Sequence, residues 1–159
     1  MSPLKVAVLA SGRGTNLQAI IDAIESGALD ARVVAVLSDH SEPLAFRRAQ
    51  KHGIPTVFVD PRRCKSREEY DASLVEALSA FRPDVVALAG FMRLLTPVLL
   101  DAYPQRVVNI HPSLLPAFPG LNAQAQAIAY GVRYSGCTVH FVDEGMDTGP
   151  VILQSVVPV

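Results

Sequence analysis

The chain has 159 residues, half of them apolar, and a formal net charge of −1 with both signs scattered along it. That length fits one α/β domain whose sheet is covered on both faces, and the charge supplies no basic footprint for nucleic acid or an anionic membrane. Cys64 and Cys137 stand far apart with no CxxC or Cys/His cluster, which argues against a zinc site or a disulfide framework and for a reducing, cytoplasmic compartment.

The N-terminus carries one lysine and then a short apolar run ending in a glycine turn. It is too brief for a membrane span and reads as a first strand over residues 6–10. Further β-branched runs at 33–38, 56–59, 85–90 and 107–110 read as parallel strands. Segments of helical period lie between them, at 17–26 with Asn16 as N-cap, 44–52, 67–81 and 96–103. Alternating β and α units imply right-handed crossovers and a Rossmann-like open, mostly parallel twisted sheet with helices on both faces. After residue 110 the rhythm changes to the proline-rich HPSLLPAFPG, a helix at 124–130 and the strands GCTVHFV and VILQSVV, which read as a meander completing the sheet. No repeat, low-complexity tract or linker interrupts the chain, so residues 1–159 are expected to form a single domain.

Ser11-Gly12-Arg13-Gly14-Thr15-Asn16 follows the first strand and opens a helix. Glycines there let backbone N–H groups turn inward at a helix N-terminus, a setting that favours an anion. A dinucleotide fingerprint needs a third glycine where Leu17 stands, and the Gly-Lys-Ser/Thr of a Walker loop is missing, so a phosphate monoester suits the loop better than NAD or ATP. A plain strand-to-helix turn would look the same. Asp39, at the end of the second strand, keeps a nucleotide reading open because an acidic residue there can hold a ribose hydroxyl; capping the next turn is its ordinary role.

Asn109 and His111, two apart at a strand end, point to one side at the edge where open α/β sheets bind ligands. Pro112 pushes His111 towards an extended backbone, and Pro112, Pro116 and Pro119 stiffen a loop fit to wall a pocket. Asp147 lies in a glycine-containing loop between the last two strands, from which it could reach His111 and orient the imidazole for proton transfer. A hydrogen-bonded structural histidine and a solvated turn aspartate are the alternatives.

Together Ser11-Gly12-Arg13-Gly14-Thr15-Asn16, Gly90-Phe91-Met92-Arg93-Leu94-Leu95, Asn109-Ile110-His111-Pro112-Ser113-Leu114-Leu115-Pro116 and Asp147-Thr148-Gly149-Pro150 closely resemble the folate-dependent formyltransferase family, in particular its glycinamide ribonucleotide transformylases. The resemblance spans nearly the whole chain. It implies the formyltransferase fold, transfer of a formyl group from 10-formyltetrahydrofolate to glycinamide ribonucleotide in purine biosynthesis, and no metal. It assigns catalysis to Asn109, His111 and Asp147, and the substrate phosphate to Gly14, Thr15 and Asn16. Folate contacts fall to Arg67, Met92, Arg93, Leu94, Leu95 and Asn109, although packing would also explain Met92, Leu94 and Leu95, and an ordinary helix-start residue would explain Arg67. A phosphate-binding half at about 1–100 and a folate and catalytic half at about 88–159 follow, as do a monomer or homodimer and no nucleic-acid or membrane partner.

Two departures stand out. Asn122 occupies a position where the transformylases usually have histidine, and the sequence ends at Val159, short of the family's usual C-terminal segment, so a truncated form with exposed apolar surface is expected. A 10-formyltetrahydrofolate hydrolase would share Asn109, His111 and Asp147, and methionyl-tRNA formyltransferase would need a further basic domain. A non-catalytic phosphate- or nucleotide-binding module would use residues 11–16 and ignore His111.

Overall fold

The computed structural model describes residues 2–159. Five strands, β1 (Leu4–Leu9), β2 (Ala31–Ser38), β3 (Thr56–Phe58), β4 (Val85–Leu88) and β5 (Val107–His111), run parallel, and β6 (Tyr134–Phe141) and β7 (Val151–Pro158) complete the sheet antiparallel. The seven strands lie in the order β3-β2-β1-β4-β5-β6-β7. Helices α1 (Thr15–Glu25), α2 (Leu44–Lys51), α3 (Arg67–Ser79), α4 (Pro97–Ala102) and α5 (Ala123–Tyr130) connect them. The mostly parallel open sheet and its closing meander are as the sequence implies, and a 3₁₀ turn at Pro61–Arg63 is an addition.

Period-two alternation divides the apolar strands between two cores. Val6 and Val8 of β1 and Ala10 just beyond it face α1 and α2 with Leu17, Ile21 and Phe46, while Ala7 and Leu9 face α3 and α4 with Leu74, Leu78 and Leu99. A strand covered on both sides has no polar face, which is why VAVLA and VVAVLS read as unbroken apolar runs.

The chain leaves β1 outward to β2 and β3, then returns to place β4 on the other flank of β1. The C-terminal ends of β1 and β4 therefore flank the switch point, where such sheets open a crevice for ligands. One row crosses the whole sheet there: Val57, Leu37, Leu9, Leu88, Asn109, His140 and Val151 are successive partners. Leu37, Leu9 and Leu88 belong to the α3/α4 core, so Asn109 and His140 continue a buried apolar row with polar groups. Beyond His111, β6 and β7 stay paired to each other from Tyr134↔Pro158 inwards and overhang the parallel strands as a wall. β7 is an edge strand exposed along its length, with Val151, Leu153, Val156 and Val157 all at least half exposed.

α3 begins as its sequence directs: Ser66 accepts from the Glu69 backbone N–H, and the Glu69 carboxylate accepts from that of Lys65, a variant of the capping box. On its inner face Asp71 is 2% exposed, and one carboxylate oxygen accepts from both the backbone N–H (2.6 Å) and the hydroxyl (2.8 Å) of Thr96, which precedes α4. Burial raises the Asp71 pKa and outweighs the opposing Thr96 bonds. The folded state therefore holds this proton more tightly than the unfolded chain, and Asp71 costs stability as pH rises from the unfolded value, about 3.9, through the higher folded one. Asp71→Asn keeps an accepting oxygen without the charge. Its stability relative to wild type should increase between pH 3 and pH 7 in urea titrations, and parallel profiles would refute this account.

Candidate active site

The glycine loop follows β1 at the switch point. Gly14 is the N-cap of α1 with φ +71° and no side-chain cap, so helix 1 begins two residues earlier than the sequence suggests and Asn16 lies in its first turn rather than capping it. With Asn16 off that duty, the side chains of Thr15 and Asn16 are exposed beside first-turn N–H groups that have no intrahelical partner. Gly14 packs so closely on α2 that a Cβ would lie 2.7 Å from Ala45 Cα and 3.2 Å from Arg48 Cδ. Arg48 Nε donates to the Arg13 carbonyl at 2.9 Å, and the Ala45 backbone N–H donates to that of Gly12 at 3.0 Å. α2 thus shapes the loop and brings a cation beside it, a contribution that pattern reading of the loop alone omits.

At the same edge, two strands away, the structure joins the three expected residues and adds a fourth. Asn109 Nδ2 lies 3.2 Å from His140 Nε2, and His140 Nδ1 lies 2.8 Å from the Phe141 carbonyl. A carbonyl only accepts, so His140 carries its proton on Nδ1 and accepts at Nε2 from Asn109. That bond fixes the amide of Asn109 and leaves its second Nδ2 hydrogen without an acceptor among the described residues. His111 Nε2 donates to the Phe118 carbonyl at 2.9 Å, while Nδ1 faces Asp147 Oδ2 at 3.3 Å. The same Oδ2 accepts from the Gly120 backbone N–H at 2.8 Å, and Oδ1 lies 3.9 Å from His140 Nε2. Asp147 therefore sits between two imidazoles. His111 and His140 are 5% and 2% exposed.

The support of this cluster is local. Leu115 N–H donates to Thr138 Oγ1, which donates to the Ser113 carbonyl, and Gln154 of β7 donates to both Thr138 Oγ1 and the Leu115 carbonyl. The proline-rich loop is thereby fastened to the β6–β7 wall. Phe118 and Asp147 hold φ of 51° and 56°, a left-handed conformation that non-glycine residues seldom adopt and that clusters at functional sites. Asn122 shares it at φ 56° as the N-cap of α5, makes no side-chain cap bond, and is exposed. Asparagine tolerates that conformation better than most residues.

Residues 91–95 form the third part. Phe91 and Leu95 are buried, but Met92 and Leu94 are 69% and 43% exposed, so core packing accounts for Leu95 and not for the other two. Arg67 donates to the Leu94 and Leu95 carbonyls at 3.2 and 3.5 Å, which brings it against the 92–95 segment, while Asn109 lies with His140. Arg93 Nε donates to Asp39 Oδ2 at 3.0 Å, with the guanidinium 4.9 Å above the Tyr70 ring. Asp39 is thus engaged within the protein, by Arg93 and His40, and it is Ser38 that takes the His40 backbone N–H at this turn.

Among the described residues no group of three or more His, Cys, Asp or Glu side chains is placed to hold a metal ion, and no helix is long and apolar enough to cross a membrane. Cys64 and Cys137 are unpaired and half-buried.

An open sheet with a glycine loop at its switch point and an Asn–His–Asp cluster along the same edge is the architecture of the formyl-transferring enzymes. The formyl transferase family matches over residues 4–159, and the chain belongs to it. It is 46% identical over 156 residues to phosphoribosylglycinamide formyltransferase of Escherichia coli, covering 98% of this chain and 74% of that protein. It is 50% identical over 157 residues to the trifunctional purine biosynthetic protein adenosine-3 of Drosophila melanogaster, of which it spans 12%. The crystal structure of glycinamide ribonucleotide transformylase 1 from Symbiobacterium toebii superposes with a TM-score of 0.96 at 50% identity, over 99% of this chain and 74% of that one.

Proposed function

We propose that the chain transfers the formyl group of 10-formyltetrahydrofolate to the amino group of glycinamide ribonucleotide, the purine-biosynthetic reaction named for its relatives. The observation that carries this reading is the spacing of the polar cluster from the glycine loop. Leu9 and Asn109 are two strands apart in one row, about 10 Å at ordinary strand spacing. The glycine loop springs from the end of β1 just beyond Leu9, so a small phosphorylated amine anchored on Gly14, Thr15 and Asn16 lies on the same sheet edge as Asn109 and directs its nitrogen towards it. The N-terminal half, about residues 1–100, then holds the acceptor phosphate, and residues from about 88 onwards hold the donor and the catalytic groups in a cytoplasmic enzyme.

The amine nitrogen attacks the formyl carbon, and the carbonyl π-electrons move onto oxygen. Asn109 is the donor best placed for that oxyanion, since His140 holds one Nδ2 hydrogen and the other is uncommitted. The C–N10 bond then breaks, N10 takes up a proton and the amine loses one, which restores the carbonyl. His111 handles these protons, and Asp147 holds its ring and balances the cation. For His111 to reach the reacting atoms its Nε2 has to leave the Phe118 carbonyl, an exchange in keeping with catalytic bonds that tighten only with substrate bound. Met92 and Leu94 offer exposed apolar surface to the folate, Arg93 and Leu95 offer backbone groups, and Arg67 meets its carboxylate tail.

Formyl transfer followed by folate absorbance, with and without glycinamide ribonucleotide, tests the proposal directly. Turnover that requires the ribonucleotide supports it, whereas turnover without acceptor means hydrolysis and sinks it. The phosphate assignment has a separate test in Gly14→Ala. A methyl group there overlaps α2 and holds alanine at positive φ, a strain of roughly 1–2 kcal/mol. The displaced loop should raise the KM for the ribonucleotide roughly 10- to 100-fold while binding of a folate analogue stays as in wild type.

A further inference from the structure

The acceptor loop and the donor segment are not separate walls of the site. Ser11 donates its backbone N–H to the Gly90 carbonyl at 3.0 Å, and its Oγ accepts from the Met92 backbone N–H at 2.9 Å. Ser11 and Asp39 are 8% and 9% exposed, so these contacts lie beneath the surface on which substrates would sit. The Asp39 carboxylate joins the end of β2 to the donor segment. Its Oδ2 takes Arg93 of the donor segment at 3.0 Å, and its Oδ1 faces His40 Nδ1 at 2.9 Å. Burial works to raise its pKa, but the Ser11 hydroxyl, His40 and Arg93 together bring it below the usual carboxylate value. Asp39 is therefore an ionised anchor that ties the end of β2 to the loop after β4, next to the Met92 N–H that Ser11 holds. Arg93 is further confined over Tyr70, which fixes the direction in which the segment leaves the sheet. The residue before Arg93 is the exposed Met92 and the one after it the exposed Leu94, so the side chain that ties the segment down alternates with the side chains it presents.

We propose that Asp39 is a positioning residue which, by holding Arg93 while Ser11 holds the adjacent Met92, keeps residues 91–95 tied to the glycine loop so that phosphate bound on the loop strengthens binding of the folate donor. This rests on the functional reading above. An anion that orders Gly12 to Asn16 fixes Ser11 at the start of the same loop. Ser11 and Asp39 fix Met92 and Arg93, and the donor then binds a segment already in place. By linkage the donor strengthens phosphate binding by the same factor.

The test is titration of a 10-formyl-folate analogue into the full chain with and without inorganic phosphate, for wild type, Asp39→Ala and the near-isosteric Asp39→Asn, with melting temperatures measured alongside. In wild type, phosphate should tighten analogue binding about tenfold, a typical coupling between sites. In Asp39→Asn, which keeps the shape but not the charge that holds Arg93, the factor should shrink, and in Asp39→Ala it should approach one. With glycinamide ribonucleotide as acceptor, the donor KM of both variants should rise more than kcat falls. A phosphate effect undiminished in both variants, or absent from wild type, overturns the coupling while leaving the functional reading intact. Equal losses in kcat and KM together with a lowered melting temperature would show a merely structural residue and overturn it too. Failure of wild type to bind the folate analogue at all would sink both.

Discussion

Replacing Asn109 by alanine should lower kcat for formyl transfer about 100- to 1,000-fold, with the KM of both substrates little changed and the protein folded. The expectation rests on where the amide sits. Asn109 is held by a strand paired on both flanks, parallel to β4 and antiparallel to β6, and His140 fixes its amide through a bond whose direction follows from the Phe141 carbonyl. A donor that needs no reorganisation as charge develops contributes most at the transition state, so its loss shows in kcat. His140→Ala should give a smaller loss of the same kind, because it frees the amide without removing it. Equal kcat in wild type and Asn109→Ala would remove the oxyanion role, and a His140 loss exceeding that of Asn109 would make the histidine the acting group.

Gly149→Ala should lower kcat about 100-fold although Gly149 touches no substrate. Gly149 is buried, and a Cβ there would overlap the Phe141 carbonyl oxygen and lie 2.7 Å from the carbonyl carbon. The obstacle is backbone, which cannot swing aside as a side chain can, so the loop between β6 and β7 has to shift. Asp147, two residues earlier, loses its places at 3.3 Å from His111 and 2.8 Å from the Gly120 N–H. The overlap should also cost roughly 1–3 kcal/mol of stability. Asp147→Ala provides the comparison, since it removes the carboxylate without moving the loop. If both variants lose activity to a similar degree and only Gly149→Ala melts early, the effect passes through Asp147. Full activity in Gly149→Ala would mean that the loop shifts without carrying Asp147 with it.

Much of the architecture is legible in the sequence because strands buried on both faces leave uninterrupted apolar runs, and helices that start at Ser66 or after Pro43 carry their own start signals. The start of α1 is harder to read. A glycine in the left-handed region does the capping, so the nearby asparagine misleads. Asn109, His111 and Asp147 are visible as a strand-end pair and a glycine-flanked loop aspartate, but that they meet is a tertiary fact: His111 and Asp147 stand 36 positions apart. His140 escapes notice because its meaning comes from the register with β5, and its only local trace is a histidine in a strand that also carries Ser135 and Thr138. Asp39 invites a nucleotide reading by its place at the end of β2. Only the Arg93 contact, 54 positions away, shows its charge to be spent within the protein.

The row Leu37, Leu9 and Leu88 would continue most simply in leucine or valine, and instead it turns to Asn109 and His140. At these two positions the demands of a sturdy fold and of chemistry diverge. Selection for thermal resistance alone would favour apolar replacements at both, and the variants that best survived heating would be those that had given up the site.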